Sequence, residues 1–323
     1  MDQDLVAVVF PGQGSQKAGM GKDFHDQYSE ARAVFDEASD AVGFDLRRLC
    51  FAAEPSAEAL LGQTEYTQPC ILAVEMAMIR VLRAQFGLQD GLWGGHSLGE
   101  YTALVAAGVI PLADAVRLVR ERGRRMQSAV PMGQGAMLAL VGEALDLPRI
   151  RASLTGLEVD LANLNSVDQV VLSGRADHVA VAATRLSTAL PDVRQVPLQV
   201  SAPFHSRMMA AIEPGFRALL HESAARWDTR RADRVLSNSG GGFHSTEPAS
   251  LVDALTRQIS GSVRWVDNMR LLLAAGPQRV YEVGPGRPLR AFFRTLDCDV
   301  TGLVSVRTAQ KALAQPAASS APD

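Results

Sequence analysis

The stretch Gly94-Gly95-His96-Ser97-Leu98-Gly99-Glu100 decides how the rest of the chain is interpreted. It contains G-x-S-x-G between an apolar run that ends at Trp93 and a helical pattern that begins at Glu100. This order predicts a nucleophile elbow, in which the serine lies at a strained strand-to-helix corner and the helix N-terminus faces the reacting atom. Ser97 would then attack a carbonyl carbon. A glycine-rich turn with a capping serine explains the same residues equally well, so the flanking sequence has to decide.

The composition indicates a folded globular protein. Of 323 residues, 47% are hydrophobic and 21% charged, and the net charge of -3 includes no block of like charge, so neither nucleic acid nor a membrane surface is expected as a partner. Cys50, Cys70 and Cys298 are widely spaced, which predicts neither disulfides nor a zinc site and favours a reducing cytoplasm. The acidic residues 1–4 do not resemble a secretion signal, and no run of about 18 apolar residues predicts a membrane span.

The residues before the elbow predict one strand and several packing helices. The run Leu5-Val6-Ala7-Val8-Val9-Phe10 is typical of a buried strand, and it stops at the loop of residues 11–16. This loop lacks both G-x-G-x-x-G, because Lys17 occupies the third glycine position, and a phosphate loop, so nucleotide binding is not expected. Residues 68–86 carry apolar side chains at helical spacing.

Arg122 interrupts the apolar face of a predicted helix. The pattern after Pro111 runs as a helix to about Gln127, and Arg122 falls on its apolar stripe while the neighbouring charged residues fall on the opposite side. A buried guanidinium needs acceptors, because an unpaired buried charge costs several kcal/mol. Either the side chain packs its stem and extends its head to solvent, or it receives a carboxylate.

Residues 135–200 change character and predict a small subdomain. Strand and helix patterns alternate as β-α-β-β-α-β, the ferredoxin-like order, and Pro197 restricts the last strand to a sheet edge or to its own end. We therefore predict an α/β-hydrolase-like core at residues 1–130 and 199–306, with an inserted ferredoxin-like subdomain at residues 131–198. We expect the active site between these two parts, and a flexible tail at residues 307–323 that carries no chemistry.

A serine nucleophile needs a base, and histidine has a suitable pKa. Of six histidines, those at positions 25, 178 and 221 lie in polar or helical sequence, and His96 is adjacent to Ser97 and expected to point elsewhere. His205, at the predicted subdomain junction, and His244, in a glycine-rich segment, remain as candidates. Spacing alone does not choose between them. No acid has a clear triad position, so a backbone carbonyl or an amide is a possible partner for the imidazole.

A series of motifs in order resembles the malonyl-CoA:acyl carrier protein transacylase family. The motifs are Phe10-Pro11-Gly12-Gln13-Gly14-Ser15-Gln16, Gly95-His96-Ser97-Leu98-Gly99-Glu100, Arg122-Gly123-Arg124-Arg125-Met126-Gln127, Asn165-Ser166 followed by Gln169-Val170-Val171, Pro203-Phe204-His205-Ser206 and Glu282-Val283-Gly284-Pro285-Gly286. The resemblance covers residues 5 to 305. This family includes transacylases of bacterial fatty acid synthesis and acyltransferases of polyketide synthases.

The resemblance implies a Ser97–His205 dyad that exchanges an acyl group between two thiols in a ping-pong reaction. It therefore selects His205 over His244, and it implies that the backbone carbonyl of Gln258 orients the imidazole. Gln13 and the amide of Leu98 would form the oxyanion hole, whose preorganised donors stabilise developing charge.

The same resemblance implies a substrate-binding set. Arg122 would pair with the free carboxylate of a malonyl group, which agrees with its inward position. His96 and Asn165 would support the acyl site, and Phe204 is a bulky residue at a position linked to the choice of malonyl over methylmalonyl. One departure concerns Ser262, because relatives often have proline before the valine, and this puts the backbone near Gln258 in question.

We therefore expect malonyl transfer from coenzyme A to the phosphopantetheine thiol of an acyl carrier protein, by a monomer and without a metal or redox cofactor. Candidate carrier-docking residues are Arg117, Arg120, Arg124 and Arg287, each of which is also typical of a plain solvated charge. One alternative is a proofreading acyl hydrolase that uses the same dyad with water. Another is a docking module with an inactive site. The sequence leaves the fatty acid and polyketide pathways both open.

Overall fold

The strands form two four-stranded sheets and a short hairpin within residues 5–313, the part of the chain that the computed structural model describes. In chain order the strands are β1 (Val6–Phe10), β2 (Leu92–Gly95), β3 (Gly135–Val141), β4 (Val159–Ser166), β5 (Gln169–Arg175), β6 (Arg194–Pro197), β7 (Leu236–Ser237), β8 (Gly242–Phe243), β9 (Arg279–Val283) and β10 (Thr301–Leu303). The helices are α1 (Lys22–Gln27), α2 (Ser29–Val42), α3 (Leu46–Phe51), α4 (Pro55–Leu61), α5 (Thr64–Phe86), α6 (Gly99–Ala106), α7 (Leu112–Ser128), α8 (Leu147–Ser153), α9 (Ala176–Ala189), α10 (Glu213–Ala224), α11 (Pro248–Arg257), α12 (Trp265–Ala274), α13 (Pro288–Arg294) and α14 (Val306–Leu313).

The first sheet is parallel, in the order β10-β9-β1-β2. Every residue of β1 is buried, as expected for a parallel strand covered on both faces, and the predicted first strand is confirmed. Phe10 pairs with Gly95 at the carboxyl ends of β1 and β2. The loop of residues 11–16 and the Ser97 turn therefore leave the sheet side by side, at the edge where open parallel sheets place their ligands.

Helices α5 and α7 flank this sheet edge. The predicted helices over residues 68–86 and 111–127 are both confirmed, and α5 is buried along most of its length. The apolar stripe of α7 faces the core and includes Val116, Val119 and Met126. This packing also sets the direction of Arg122, a charged residue on the buried side of α7.

The second sheet is antiparallel, in the order β4-β5-β3-β6. Its elements follow the predicted β-α-β-β-α-β order along the chain, with α8 after β3 and α9 after β5. Pro197 is the last residue of the edge strand β6, where its missing N–H removes no interior ladder bond. The molecule is thus a mixed α/β structure with one parallel and one antiparallel sheet.

A short backbone bridge joins β4 of the antiparallel sheet to the segment around Val263, which precedes α12. Leu164 N donates to Val263 O (2.9 Å), and Val263 N donates to Ala162 O (2.8 Å). Ser262, which stands where relatives often carry proline, donates its Oγ proton to the carbonyl of Leu161. The side chain of Ser262 therefore ties this segment to β4.

The structure corrects the prediction of a tail that begins at residue 307. Residues up to 313 instead form α14, in which Val306 and Ala309 are buried, and Val306 N donates to Asp23 Oδ2 (2.7 Å). These two side chains pack on the main core, although this part of the chain contains few large apolar residues. The rest of the predicted tail lies outside the described residues. Within residues 5–313, no helix is both long and apolar enough to cross a membrane.

Gly99 permits the close approach of α6 to β1. A Cβ at this position would lie 2.3 Å from Phe10 O, a backbone atom that cannot move away easily. We expect Gly99→Ala to lower the free energy of unfolding by about 1–3 kcal/mol, as overpacking of a close-packed interior does. Urea denaturation followed by circular dichroism measures this loss. Gly242→Ala is the matched control, because its Cβ meets nothing within 4 Å. Equal stability of the two variants would contradict the steric explanation.

Candidate active site

Ser97 occupies the strained turn that the sequence predicts. It lies between β2 and α6 with a φ of 53°, a left-handed value that is uncommon outside glycine. Asn238, directly after β7, holds this turn by two hydrogen bonds. Its Oδ1 accepts from Ser97 N (2.6 Å), and its Nδ2 donates to Gly95 O (2.8 Å). Asn238 carries no signal in the sequence beyond being a polar residue after a short apolar run.

The structure brings His205 to Ser97. His205 Nε2 lies 2.7 Å from Ser97 Oγ, and His205 Nδ1 lies 2.9 Å from the backbone carbonyl oxygen of Gln258. That carbonyl oxygen accepts a hydrogen bond from Nδ1–H, so the proton of the neutral ring is on Nδ1 and Nε2 is the acceptor that faces the serine hydroxyl. The Ser262 departure thus leaves the Gln258 carbonyl in contact with the imidazole.

Burial keeps the His205 imidazole neutral. Loss of solvent and, to a smaller extent, the positive charge of Arg122 lower the pKa of His205 to about 3, although the hydrogen bond to Gln258 acts in the opposite direction. A neutral imidazole in contact with Ser97 Oγ is in the protonation state that a general base requires.

His244, the other candidate base, lies elsewhere. It is buried, and its Nε2 is 2.8 Å from Glu100 Oε1, a close contact whose angles fall outside hydrogen-bond geometry. Glu100 is in the first turn of α6, and its Oε2 accepts a hydrogen bond from Asn238 N (3.1 Å). The tertiary structure therefore separates two histidines that sequence spacing could not distinguish.

Arg122 is buried, with 1% of its surface exposed, and its guanidinium points into the site rather than to solvent. Nη1 donates to Gln68 Oε1 (2.9 Å), and Nη2 donates to Ser97 Oγ (3.1 Å) and to Gln258 Oε1 (2.9 Å). Gln68 was not identified from the sequence. No carboxylate within residues 5–313 forms an ion pair with Arg122, and its Nε has no hydrogen-bond partner in that range. The guanidinium can therefore receive an anion.

A cavity of about 490 Å³ lies between the two sheets above Ser97. It is lined from both parts of the chain, by Arg122 and His205 from the core and by Asn165 from β4. Phe204 also lines it and is largely buried. The lining residues thus come from both predicted parts of the chain.

His96 lies in the wall of this cavity rather than at the reacting atom. Its Nε2 is 2.8 Å from Asn165 Oδ1, and Asn165 Nδ2 donates to Gln169 Oε1 (2.9 Å). Burial lowers the pKa of His96, which favours the neutral ring. The ring packs edge-on against Trp265, so His96 and Asn165 fix the shape of this wall together.

Two backbone amides at the cavity are free to stabilise an oxyanion. The side-chain amide of Gln13 is engaged with Thr64 Oγ1 (3.1 Å), but the backbone amides of Gln13 and Leu98 donate to no acceptor within the described range. The Leu98 amide precedes α6, where helix N–H groups lack intrahelical partners. Both residues line the cavity beside Ser97.

The candidate docking arginines do not reach the cavity lining. Three of them are engaged by carboxylates of their own surface: Arg117 by Asp114, Arg120 by Glu65 and Arg124 by Glu121. Such ion pairs contribute little to stability, but each of these arginines already has a carboxylate partner.

Comparison with known proteins identifies the relatives of this chain. The model of the acyl transferase domain family matches residues 7–239. A malonyl CoA-acyl carrier protein transacylase of Salmonella typhimurium is 39% identical over 317 residues, which is 98% of this chain and 97% of that protein. A malonyl-CoA:acyl carrier protein transacylase from Xanthomonas oryzae superposes with a TM-score of 0.89 at 36% identity, over 97% of this chain and 99% of that one. A malonyl-transacylase in complex with a type II polyketide synthase acyl-carrier protein superposes with a TM-score of 0.89 at 33% identity, over 96% of this chain and 99% of that one.

The low pKa of His205 predicts an unusually flat pH profile. Because its pKa is about 3, the imidazole stays neutral as the pH falls from 8 to 5. For an imidazole with an ordinary pKa of about 6.5, the fraction in the neutral form would fall about thirtyfold over this range. We expect the rate of Ser97 labelling by a fluorophosphonate to change less than about twofold between these pH values. A midpoint near 6.5 would contradict the shift. Circular dichroism at each pH checks folding, and Ser97→Ala gives the background.

Proposed function

The chain belongs to the acyl transferase domain family that includes the malonyl CoA-acyl carrier protein transacylases, and on this premise we propose that it moves a malonyl group from malonyl-CoA to the phosphopantetheine thiol of an acyl carrier protein. The observation that carries the proposal is the buried Arg122 guanidinium, whose Nη2 lies 3.1 Å from Ser97 Oγ and which has no ion-pair carboxylate among the described residues. A cation in that place selects an acyl group that ends in a carboxylate.

In the first half-reaction, Ser97 Oγ attacks the thioester carbonyl while His205 Nε2 takes the hydroxyl proton. The backbone amides of Gln13 and Leu98 stabilise the oxyanion, and losing one such donor typically costs about 100- to 1000-fold in rate. The C–S bond then breaks, and His205 returns its proton to the departing coenzyme A thiolate. Ser97 is left as a malonyl ester.

The second half-reaction reverses these steps with a different thiol. His205 takes the proton of the phosphopantetheine thiol, the thiolate attacks the Ser97 ester, and the proton returns to Ser97 Oγ as the C–O bond breaks. One thioester is replaced by another, so the exchange needs a nucleophile, a base and oxyanion donors only. We therefore propose that no metal or redox cofactor takes part.

Arg122 provides the selectivity for the acyl group. A guanidinium presents two parallel N–H donors to a carboxylate, which a lysine ammonium cannot do, and in a dry site this pair is strong. Phe204 lines the same cavity, and its bulk supports a preference for malonyl over branched malonyl groups. A proofreading hydrolase for monocarboxylic acyl chains would gain nothing from a buried, unpaired guanidinium, so this alternative is disfavoured.

Several finer features belong to the same proposal. The parallel sheet with its serine turn supports an α/β-hydrolase-like core, and the strand order β4-β5-β3-β6 supports a ferredoxin-like insertion. The carrier protein belongs to fatty acid or type II polyketide synthesis, as in the relatives. The unpaired state of Cys50, Cys70 and Cys298 supports a cytoplasmic location, and we expect a monomer.

Acyl loading tests the proposed reaction directly. Incubation with malonyl-CoA, followed by intact-mass measurement, should show one malonyl group per chain, which peptide mapping places on Ser97. Ser97→Ala should remain unlabelled. Absence of a malonyl adduct on the folded wild-type protein would refute the proposed substrate.

Arg122→Ala separates selectivity from catalysis. Removing one partner of a buried charge pair costs about 2–5 kcal/mol, so malonyl loading should fall by at least about 30-fold. Acetyl loading, which has no carboxylate to bind, should be kept or increased. Arg124→Ala is the control, because Arg124 lies on the same helix but pairs with Glu121 at the surface. Equal loss of both acyl groups would show that Arg122 is structural.

A further inference from the structure

A buried polar cluster beneath the Ser97 turn has no part in the mechanism above. Its centre is Glu100, which is fully buried in the first turn of α6. Glu100 Oε2 accepts from Gln258 Nε2 (2.6 Å) and from Asn238 N (3.1 Å), while Oε1 lies 2.8 Å from His244 Nε2. Glu100 touches neither Ser97 Oγ nor the His205 ring, so any effect on the reaction passes through its neighbours.

The side chain of Gln258 connects Glu100 to Arg122. Gln258 Nε2 donates to Glu100 Oε2 and to Ser97 O (2.8 Å), and Gln258 Oε1 accepts from Arg122 Nη2 (2.9 Å). The two ends of an amide have nearly the same shape, so only their partners decide its orientation. A carboxylate accepts only and a guanidinium donates only. Together they fix the amide with its oxygen towards Arg122.

Glu100 also offsets the positive charge of Arg122 without forming a direct ion pair with it. A buried cation is costly unless an anion is near, but a direct ion pair would have to be broken before a substrate carboxylate could bind. Here one amide separates the two charges. Arg122 Cζ lies 5.6 Å from the centre of the Tyr101 ring. The hydrogen bonds that the guanidinium donates within residues 5–313 all go to neutral oxygens. A carboxylate from the substrate can replace such neutral partners.

We propose that Glu100 is a positioning residue that, through the Gln258 amide, keeps the Arg122 guanidinium charged and aimed at the acyl pocket, and so makes the site selective for carboxylate-bearing acyl groups. This inference rests on the proposed function. Without the Glu100 carboxylate, Gln258 Nε2 keeps Ser97 O but loses its charged acceptor, so the Gln258 amide holds Arg122 less firmly in place. The backbone carbonyl of Gln258 would still orient His205, so the chemistry should be affected less than the selectivity.

The test compares Glu100→Gln with Glu75→Gln. Glu75 is also fully buried, in α5, but its carboxyl accepts from Thr102 Oγ1 (2.5 Å) and contacts neither Gln258 nor Arg122. Single-turnover loading is measured with malonyl-CoA and with acetyl-CoA. We expect Glu100→Gln to lower the malonyl-to-acetyl rate ratio about tenfold, within the range of coupled neighbours. Glu75→Gln should keep the wild-type ratio.

A double-mutant cycle then asks whether Glu100 acts through Arg122. Adding Glu100→Gln to Arg122→Ala should leave the ratio of the single Arg122 variant unchanged, since the group that Glu100 positions is gone. A further fall of the ratio in the double variant would overturn the proposal. So would an equal loss of malonyl and acetyl loading in Glu100→Gln, which is what a merely structural role predicts.

Gln258→Met provides a second route if Glu100→Gln does not fold. This change removes the connecting amide, keeps an unbranched side chain and leaves the backbone carbonyl that contacts His205. The malonyl-to-acetyl ratio should fall as in Glu100→Gln, and an unchanged ratio would overturn the inference. The two ideas fail in different ways. A wild-type protein that takes no malonyl group refutes the proposed function. A wild-type protein that is loaded with malonyl, together with variants whose malonyl-to-acetyl ratio is unchanged, refutes only the role of Glu100.

Discussion

The strained turn at Ser97 is the constraint on which the site depends. Its positive φ is held because Asn238 binds Gly95 O and Ser97 N on the strand side of the turn and because Gly99 lets α6 approach β1. Strain of this kind persists only where surrounding contacts over-determine it. Asn238 comes from a part of the chain far from the elbow, so Ser97 is positioned by the assembled fold and not by its local sequence alone.

Gln258 links the two chemical functions of the site. Its backbone carbonyl contacts His205, and its side chain contacts Arg122. His205 and Arg122 thus share one contact residue directly after α11, and a displacement of that residue would affect both. The backbone bridge between β4 and Val263 holds the following segment against the antiparallel sheet.

Much of the fold follows from patterns within single segments. The fully apolar β1, the inward stripe of α7 and the order of elements in residues 135–197 were all readable, because burial on one face leaves a periodic record in the sequence. The start of the predicted tail at residue 307 was wrong, because composition alone does not reveal that small side chains such as Ala309 find a packing partner. Asn238, Gln68 and Glu100 were not assigned roles, because single polar residues carry no periodic signal.

The sequence by itself predicted the strand-turn-helix order around Ser97, the position of Arg122 on the apolar stripe of its helix and the succession of strands and helices, since each of these depends on neighbours along the chain. Spacing left His205 and His244 as alternatives, and the family resemblance rather than the residues chose between them. Only the tertiary structure decided which imidazole meets Ser97, that Arg122 has no ion-pair carboxylate within residues 5–313, and that Glu100 lies one amide away from it. These are relations between segments distant in the chain, which fold topology brings together and no local pattern encodes.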